Sequence, residues 1–124
     1  MSKRYRDLLA WQKAMQLTVT SYQLTALFPK HEVYGLASQL QRSAVSVPSN
    51  IAEGNERESD KELLHHLSYS LGSLAELETQ VELAFRLGYL DQDIIDDFRL
   101  KSAEVGRLIG GLRRHVQARA KPKQ

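Results

Sequence analysis

The 124-residue chain has no cysteine, three prolines and few aromatic residues, and none of its apolar runs is long. Without cysteine there is no disulfide bond, no thiolate metal ligand and no cysteine nucleophile, so the fold depends on packing alone. A membrane-spanning helix needs about 18 or more consecutive apolar residues, and the sequence offers no such run. The N-terminus, MSKRYRD, lacks the apolar core of a signal peptide. We therefore expect a cytoplasmic protein with no membrane partner.

What the sequence does contain is charge, distributed unevenly. The net charge is only +2, but residues 1–52 carry +4, residues 53–97 carry −9 and residues 98–124 carry +7. Basic ends of this kind suit a polyanionic partner, and complementary patches could also join copies of the chain. Ordinary solvated helix faces would give the same pattern, so the charge alone does not choose between these readings.

Apolar residues recur at alternating steps of three and four, which is the period of an α-helix. The spacing predicts helices over about residues 5–28, 33–53, 60–87 and 92–117, and a disordered basic tail over 118–124. Ser59 and Asp91 are expected to cap the third and fourth helices, and Gly88 to end the third. Because the connections are short, the predicted fold class is all-α: one domain forming an antiparallel, up-down-up-down, left-handed four-helix bundle.

Two details concern the first and second helices. The core-facing stripe of the first helix is predicted to be Leu8, Trp11, Met15, Thr18 or Val19, Tyr22 and Ala26. In the second helix, Pro48 interrupts an apolar stripe that stays in register across it, so we expect a kinked helix that continues to Glu53 and ends at Gly54. The alternative is a helix that ends at Val47, followed by a loop over residues 48–58.

The second and third helices also carry polar stripes of helical period. These are Gln39, Ser43, Ser46, Asn50 and Glu53 on one helix, and Glu62, His66, Tyr69, Ser73 and Glu76 on the other. If the chain folds back about residue 56, the level pairs are Asn50 with Glu62, Ser46 with His66, Ser43 with Tyr69 and Gln39 with Ser73. Such a seam costs stability relative to leucines, but it penalises a slipped register by leaving polar groups unpaired.

No catalytic constellation stands out. Glu62 and His65 have the Glu-x-x-His spacing of di-iron bundles, but such a site needs a second copy of the motif, and none is present. Glu62 is already explained as part of a capping box with Ser59. We therefore predict no enzymatic activity, no metal and no cofactor.

Basic residues near the two ends form the candidate nucleic-acid-binding site. They are Lys3, Arg4, Arg6, Arg107, Arg113, Arg114 and Arg119, followed by Lys121 and Lys123. In an up-down bundle the two ends of the chain lie at the same pole, so the groups are expected to merge into a patch that binds phosphate backbones with salt-dependent affinity. No aromatic residue interleaves with them, so stacking on bases is not expected. Gly106, Gly110 and Gly111 lower the helix propensity of the fourth helix, which suggests that something packs closely there.

Three segments are similar to a known family: DLLAWQKA (7–14), FPKHEVYGLASQLQRSAVSVPSNIAEG (28–54) and LGSLAELETQVELAFRLGYL (71–90). They resemble the small four-helix-bundle proteins encoded in intervening sequences of bacterial 23S ribosomal RNA genes. That family resembles the accessory variability determinant of diversity-generating retroelements, which acts with a reverse transcriptase and nucleic acid. The resemblance implies a homopentamer with a basic surface or pore, RNA or DNA as partner, a reverse transcriptase or other protein as a further partner, and no catalytic residues.

The resemblance also marks motif positions in this sequence. They are Gln39, Arg42, Asn50, Glu53, Gly54, Gly72, Ser73, Glu76 and Glu78. These residues suit a structural or assembly role at least as well as a ligand site. Two functions remain open: a non-enzymatic oligomeric protein that associates with structured RNA or DNA through its basic surface, or an oligomeric scaffold with no nucleic-acid role.

Overall fold

The computed structural model describes residues 4–120, and this part of the chain is helical with no strand. The helices are α1 (Leu9–Thr25), α2 (Leu36–Asn55), α3 (Asp60–Arg86) and α4 (Gln92–Ala120). Short 3₁₀ turns, Tyr5–Asp7 and Lys30–Glu32, precede α1 and α2. The helices pack in a closed ring, α1 on α2, α2 on α3, α3 on α4 and α4 on α1. The predicted all-α four-helix bundle is therefore confirmed.

Cross-helix hydrogen bonds give the direction of the neighbouring helices. They pair Asn50 with His66 and Ser46 with Ser73 between α2 and α3, and Asp60 with Arg119 and Glu82 with Arg99 between α3 and α4. In both sets the residue numbers fall along one helix as they rise along the other. These neighbouring helices therefore run antiparallel.

The helix ends differ from the sequence expectation by a few residues. α1 is shorter at both ends, because a 3₁₀ turn replaces its first turn and the amides of Leu27 and Phe28 bond to carbonyls only three residues back. α2 runs to Asn55, beyond the expected end at Glu53. α4 continues through residues 118–120, which were expected to belong to a disordered tail. The rest of that tail, residues 121–124, lies outside the described residues.

The helix ends that depend on local chemistry are as predicted. The Ser59 hydroxyl accepts a hydrogen bond from the Glu62 amide at 3.1 Å, and the Asp91 carboxylate accepts one from the Ile94 amide at 2.9 Å. Gly88 adopts a φ of 84°, where a side chain would be strained. The amide of Tyr89 then bonds back to the Ala84 carbonyl at 3.0 Å, which completes a Schellman motif at the end of α3.

The buried face of α1 is not the stripe that the sequence suggested. Its buried residues are Ala10, Ala14, Leu17, Ser21 and Leu24. Met15, Val19 and Tyr22 are instead 40%, 56% and 45% exposed. Both stripes have the helical period, and the one with small side chains faces the core because it lets α1 lie close to its neighbours. The predicted core face was therefore wrong for Met15, Val19 and Tyr22, which lie on the surface, whereas Leu8 and Trp11 are partly buried and pack against the core.

Pro48 lies inside α2 and is buried, so the helix does not end at Val47. A proline has no N–H, and the carbonyl of Ala44, four residues earlier, loses its helical hydrogen bond. The Thr18 hydroxyl of α1 lies 2.9 Å from that carbonyl oxygen and 3.0 Å from the Ala14 carbonyl oxygen of its own helix, and its single proton can be donated to either. The buried Ser70 hydroxyl of α3 donates to the next carbonyl on this face, that of Val47, at 2.8 Å. Both neighbouring helices therefore place a hydroxyl group within hydrogen-bonding distance of an α2 carbonyl near the proline.

At the pole where α3 ends, Tyr89 closes the bundle by donating its hydroxyl to the Glu32 carboxylate at 2.8 Å. This hydrogen bond, with a second from the Leu36 amide, lowers the pKa of Glu32, and it raises the pKa of Tyr89. The contact stabilises the fold at pH values above the ordinary carboxyl range. Its contribution is lost as the pH falls through the lowered pKa of Glu32, or as it rises through the pKa of Tyr89.

We predict that Thr18 and Pro48 are energetically coupled. Thr18→Val leaves the buried Ala44 carbonyl without a donor and should lower the free energy of unfolding by about 1–3 kcal/mol. In a Pro48→Ala background the backbone N–H at position 48 can bond to that carbonyl, so the cost of Thr18→Val should fall by about 1 kcal/mol. Denaturant unfolding of the four proteins in this cycle measures the coupling.

Thr79→Val is the matched control, since its hydroxyl is exposed and bonds only to a carbonyl of its own helix. That substitution should cost less than about 0.5 kcal/mol. If Thr18→Val lowers the free energy of unfolding equally with and without Pro48, the Thr18 hydroxyl does not donate to the Ala44 carbonyl, and the assignment is wrong.

Candidate functional site

The two basic ends of the chain meet at the pole formed by the α2–α3 turn. Glu56 and Asp60 stand on either side of this turn. The Arg4 Nε lies 3.4 Å from a carboxylate oxygen of Glu56, and the Arg119 guanidinium contacts both oxygens of Asp60 at 3.0–3.3 Å. Exposed pairs of this kind add little to stability, but each one offsets a cation. Arg4 and Arg119 therefore lie at one pole with much of their charge neutralised. Lys3 lies outside the described residues.

Arg6 lies beside two aromatic rings. Its guanidinium carbon is 5.8 Å from the ring centroids of both Tyr5 and Trp11, which pack edge to face at 5.2 Å. The expectation that no aromatic residue accompanies the basic residues was wrong at this end of the chain. The 3₁₀ turn over Tyr5–Asp7 brings Tyr5 back onto Trp11, a contact that neither the spacing nor the helical period indicates.

Arg107 and Arg114 lie on the outer face of α4. Both are exposed, they are seven residues apart, and neither forms an ion pair with a carboxylate of residues 4–120. A spacing of seven residues places them on the same side of the helix, about 10 Å apart along its axis. Gly110 and Gly111 stand between them. The Arg114 guanidinium lies over these glycines, 3.4 Å and 3.7 Å from where their Cβ atoms would be. We call these two residues the α4 arginine pair.

Arg113, the remaining candidate, points elsewhere. It is half-buried and lines a groove of about 640 Å³ between α3 and α4, together with Lys61, His65 and Arg119. Its Nε is buried and has no acceptor among residues 4–120. The candidate basic residues are therefore divided among a neutralised pole, an exposed helix face and this groove. The single merged patch expected from the sequence does not include all of them.

The polar seam between α2 and α3 forms a chain of hydrogen bonds. The His66 Nδ1 lies 3.0 Å from the Asn50 Oδ1, and the Asn50 Nδ2 donates to Ser46 Oγ at 3.0 Å. Ser46 Oγ is in turn 2.7 Å from Ser73 Oγ. Since the side-chain nitrogen of Asn50 is the donor to Ser46, its oxygen must accept, and His66 carries a proton on Nδ1.

The seam has a different register from the predicted one. Asn50 meets His66 rather than Glu62, and Ser46 meets Ser73 rather than His66. The turn occupies residues 56–59, so the chain folds back later than residue 56. Each residue of α2 therefore faces a residue of α3 one or two helical turns further along than expected. The polar character of the seam was predictable, and its register was not.

The exposed apolar residues of α1 form a second groove, against α2. It has a volume of about 570 Å³ and is lined mainly by apolar residues. They include Tyr5, Trp11, Met15, Val45, Pro48 and Ala52. Val19 and Tyr22, four and seven residues after Met15, lie on the same side of α1 as Met15 and are exposed. Sequence reasoning missed this α1–α2 groove because the same residues had been assigned to the core.

The comparisons with known proteins agree with this architecture. Residues 6–111 match the family model described as 23S rRNA-intervening sequence protein. The chain belongs to this family. A crystal structure from the S23 ribosomal protein family of Bacteroides thetaiotaomicron VPI-5482, described as a protein of unknown function, superimposes with a TM-score of 0.78 at 21% identity. The match covers 85% of this chain and 98% of the other, and it shows a shared fold. No curated protein matches the sequence.

In this member of the family, the motif residues occupy several structural roles. Asn50 and Ser73 belong to the seam, Glu53 pairs with Arg57 at 3.0 Å, and Glu78 accepts a hydrogen bond from buried Ser102 at 2.9 Å. Three more motif residues line a polar groove of about 310 Å³ beside the seam: Gln39, Arg42 and Glu76. Gln80 extends that groove by one turn, and its buried Oε1 has no donor among residues 4–120. The spacing of residues 73, 76 and 80 could have indicated Gln80.

Gly54 and Gly72 have opposite surroundings. Gly54 was expected to end α2 in a left-handed conformation, but it lies within the helix, buried against α3. A Cβ there would lie 2.6 Å from the His66 Cβ, so the glycine is needed for close helix approach. Gly72 is exposed in the middle of α3, and a Cβ there would have no neighbour within 4 Å. The packing of the described chain explains the first glycine and not the second.

In the described part of the chain, no three histidine or acidic side chains are grouped closely enough to hold a metal ion. The same residues include no helix with the length and apolar character required to cross a bilayer.

The two glycines give a matched test of this packing. Gly54→Ala should destabilise the protein by about 1–3 kcal/mol, because the methyl group meets the backbone-fixed Cβ of His66 and the helices must separate. Gly72→Ala should stabilise it by up to about 1 kcal/mol, since alanine is the better helix former and nothing is displaced. Denaturant unfolding measures both. Equal effects of the two substitutions would contradict the close contact at Gly54.

Proposed function

We propose that this protein is a non-enzymatic, self-associating bundle that binds structured RNA or DNA through cations on α4. The observation that carries the proposal is the α4 arginine pair: two exposed guanidinium groups, seven residues apart on one face, with no carboxylate partner among residues 4–120. Arginines that are not neutralised within the fold are available to phosphate oxygens, which they bind through paired hydrogen bonds.

The surroundings of the pair support a partner with a bulky, charged backbone. Gly110 and Gly111 add no side-chain volume between the two arginines, so the Arg114 guanidinium lies over them and is what a phosphate backbone at this face would meet. In a helix interior each glycine costs roughly 1 kcal/mol relative to alanine. Within the described chain only the Arg114 side chain lies near either Cβ position. Packing inside the bundle therefore gives no reason for these glycines, whereas a partner at this face would.

The acidic first half of α4 limits where a polyanion could bind. Asp93, Asp96 and Asp97 lie in its first two turns, and Arg99 and Lys101 are engaged by Glu82 and Asp97. The hydrogen bonds from Arg99 hold the pKa of Glu82 below its usual value, so this carboxylate stays ionised at neutral pH. Phosphate contacts are therefore confined to the second half of the helix, where the arginine pair lies.

Self-association is supported by the α1–α2 groove and the exposed apolar face beside it. Met15, Val19 and Tyr22 are large residues that the bundle leaves accessible. A contiguous apolar surface of this kind is typical of a protein interface. A second copy of the chain is the occupant that we propose, because it would cover this face without any further partner.

A second candidate function is a scaffold that only self-associates or binds another protein. The same α1–α2 groove favours it, and so does the neutralisation of Arg4 and Arg119 by Glu56 and Asp60. In this alternative the α4 arginine pair serves solubility or assembly rather than binding to phosphates.

The experiment compares two double variants of α4 in binding to an RNA hairpin and a DNA duplex over a salt series. Arg107→Gln with Arg114→Gln should weaken binding by tenfold or more and reduce the slope of log affinity against log salt by roughly 2. Arg99→Gln with Lys101→Gln removes the same charge from the same helix, but from residues already paired with acids. This control should bind nearly as the wild type does.

A sizing column on the same proteins separates the two candidates. Unchanged size with weakened RNA binding supports the proposed function. Salt-independent binding, or equal losses in the two double variants, would contradict it. If the wild-type protein assembles but binds neither the RNA hairpin nor the DNA duplex, the result rejects nucleic-acid binding and supports the scaffold function.

A further inference from the structure

The groove between α3 and α4 has the chemistry of an anion site. Three cationic side chains line it near the α2–α3 turn: Lys61, Arg113 and Arg119. We propose that this groove binds a phosphate group, held by Arg113 and Lys61 with the Ser68 hydroxyl as an additional donor. This phosphate site rests on the proposed function only for the source of the phosphate. If the protein binds nucleic acid, the phosphate belongs to an RNA or DNA strand. If it does not, the phosphate belongs to a free nucleotide.

Arg113 carries the inference. Its Nε is buried and finds no acceptor among residues 4–120. Arginine stays protonated in proteins, so this N–H remains a hydrogen-bond donor of a charged group. Leaving such a donor buried without an acceptor costs its full desolvation free energy. Native structures satisfy such groups in the great majority of cases, by protein, water or ligand. The terminal nitrogens of Arg113 are not among the buried unpaired atoms, so an anion in the groove would neutralise the guanidinium through them, and a small shift of the side chain would also give Nε its acceptor.

Among residues 4–120, Asp60 is the one carboxylate that lines the groove, and it is already engaged. Asp60 Oδ1 accepts from Arg119 Nη2 at 3.0 Å and from its Nε at 3.3 Å, and Oδ2 accepts from the same Nε at 3.3 Å. Arg113 and Lys61 form no ion pair with a carboxylate of residues 4–120. Arg119 therefore offsets Asp60, and the charges of Arg113 and Lys61 remain.

The donor set favours a phosphate over a carboxylate. A carboxylate has two oxygens in one plane, which a single guanidinium fork can occupy. A phosphate has more oxygens, in a tetrahedral arrangement, so it can bind Arg113, Lys61 and Ser68 together. The groove, at about 640 Å³, is open and larger than one phosphate, so the rest of a nucleotide or strand can lie along it.

The test uses the full-length protein and pyrophosphate as the probe, with chloride at matched ionic strength as the reference. The arginine Nε–Hε signals in a nitrogen–proton correlation spectrum report each guanidinium separately. We expect the Arg113 signal to shift saturably with pyrophosphate and not with chloride. Arg113→Met should weaken pyrophosphate binding about tenfold or more, as should Lys61→Gln, since each removes a charge-assisted hydrogen bond.

Two controls keep a binding role distinct from a structural one. Arg113→Met replaces a buried unpaired donor with an apolar side chain of similar length, so the melting temperature should be unchanged or higher while binding falls. Lys30→Gln removes the same charge from an exposed turn at the opposite pole, and it should bind pyrophosphate as the wild type does. A melting temperature that falls with Arg113→Met, with pyrophosphate affinity unchanged, would overturn the proposal.

The remaining outcomes separate this site from the proposed function. If RNA binding is lost with the α4 arginine pair but is unaffected by Arg113→Met and Lys61→Gln, the phosphate site is wrong and the proposed function stands. If pyrophosphate binds through Arg113 in a protein that does not bind RNA or DNA, the site stands and its ligand is a free nucleotide. A glutamate-rich peptide that binds this groove more tightly than pyrophosphate would overturn the choice of phosphate.

Discussion

The close approach of α2 to α3 is the constraint on which the rest of the structure depends. Gly54 lets the two helices come together at one end, and the buried Ser70 hydroxyl bonds to the Val47 carbonyl near the middle. Between these points the hydrogen-bonded chain from His66 through Asn50 and Ser46 to Ser73 allows only one register. A slip by one helical turn would leave several partly buried polar groups unpaired, at a cost of about 1–3 kcal/mol each. An apolar seam would be more stable, but it would tolerate such slips more easily.

The functional surfaces follow from this register. Because α2 ends at Asn55 and α3 begins at Asp60, the turn presents Glu56 and Asp60 at the pole where the two basic ends of the chain arrive. These carboxylates offset Arg4 and Arg119, whereas Arg107 and Arg114 on α4 and Arg113 in the groove with α3 have no carboxylate partner among residues 4–120. The exposed apolar surface lies on a different side, on α1 and α2. A subunit contact there would leave the face of α4 accessible, so the proposed self-association and the proposed nucleic-acid binding would use different surfaces.

Features set by neighbouring residues could be predicted from the sequence, and features set by distant contacts could not. The caps at Ser59 and Asp91 and the Schellman end at Gly88 were predictable, because the groups that bond are within five residues of each other. The continuation of α2 through Pro48 followed from the apolar period, but its partner Thr18 did not, since that hydroxyl comes from another helix. The face of α1 was predicted wrongly because hydrophobicity favoured Met15 and Tyr22, whereas close packing selects Ala10 and Ala14. The basic residues were recognised as candidates, yet only the structure shows which of them carboxylates neutralise.

The register of α2 against α3 can be measured directly by disulfide formation, since the chain has no cysteine of its own. The Oγ atoms of Ser46 and Ser73 are 2.7 Å apart, so Ser46→Cys with Ser73→Cys places two thiols within bonding reach. This pair should oxidise readily, and the helical content of the protein should be retained. Ser46→Cys with His66→Cys corresponds to the slipped register that the sequence period suggests, and it should stay reduced under the same conditions. Rapid oxidation of the second pair with none in the first would contradict the register from which the pole, the seam and the binding surfaces all follow.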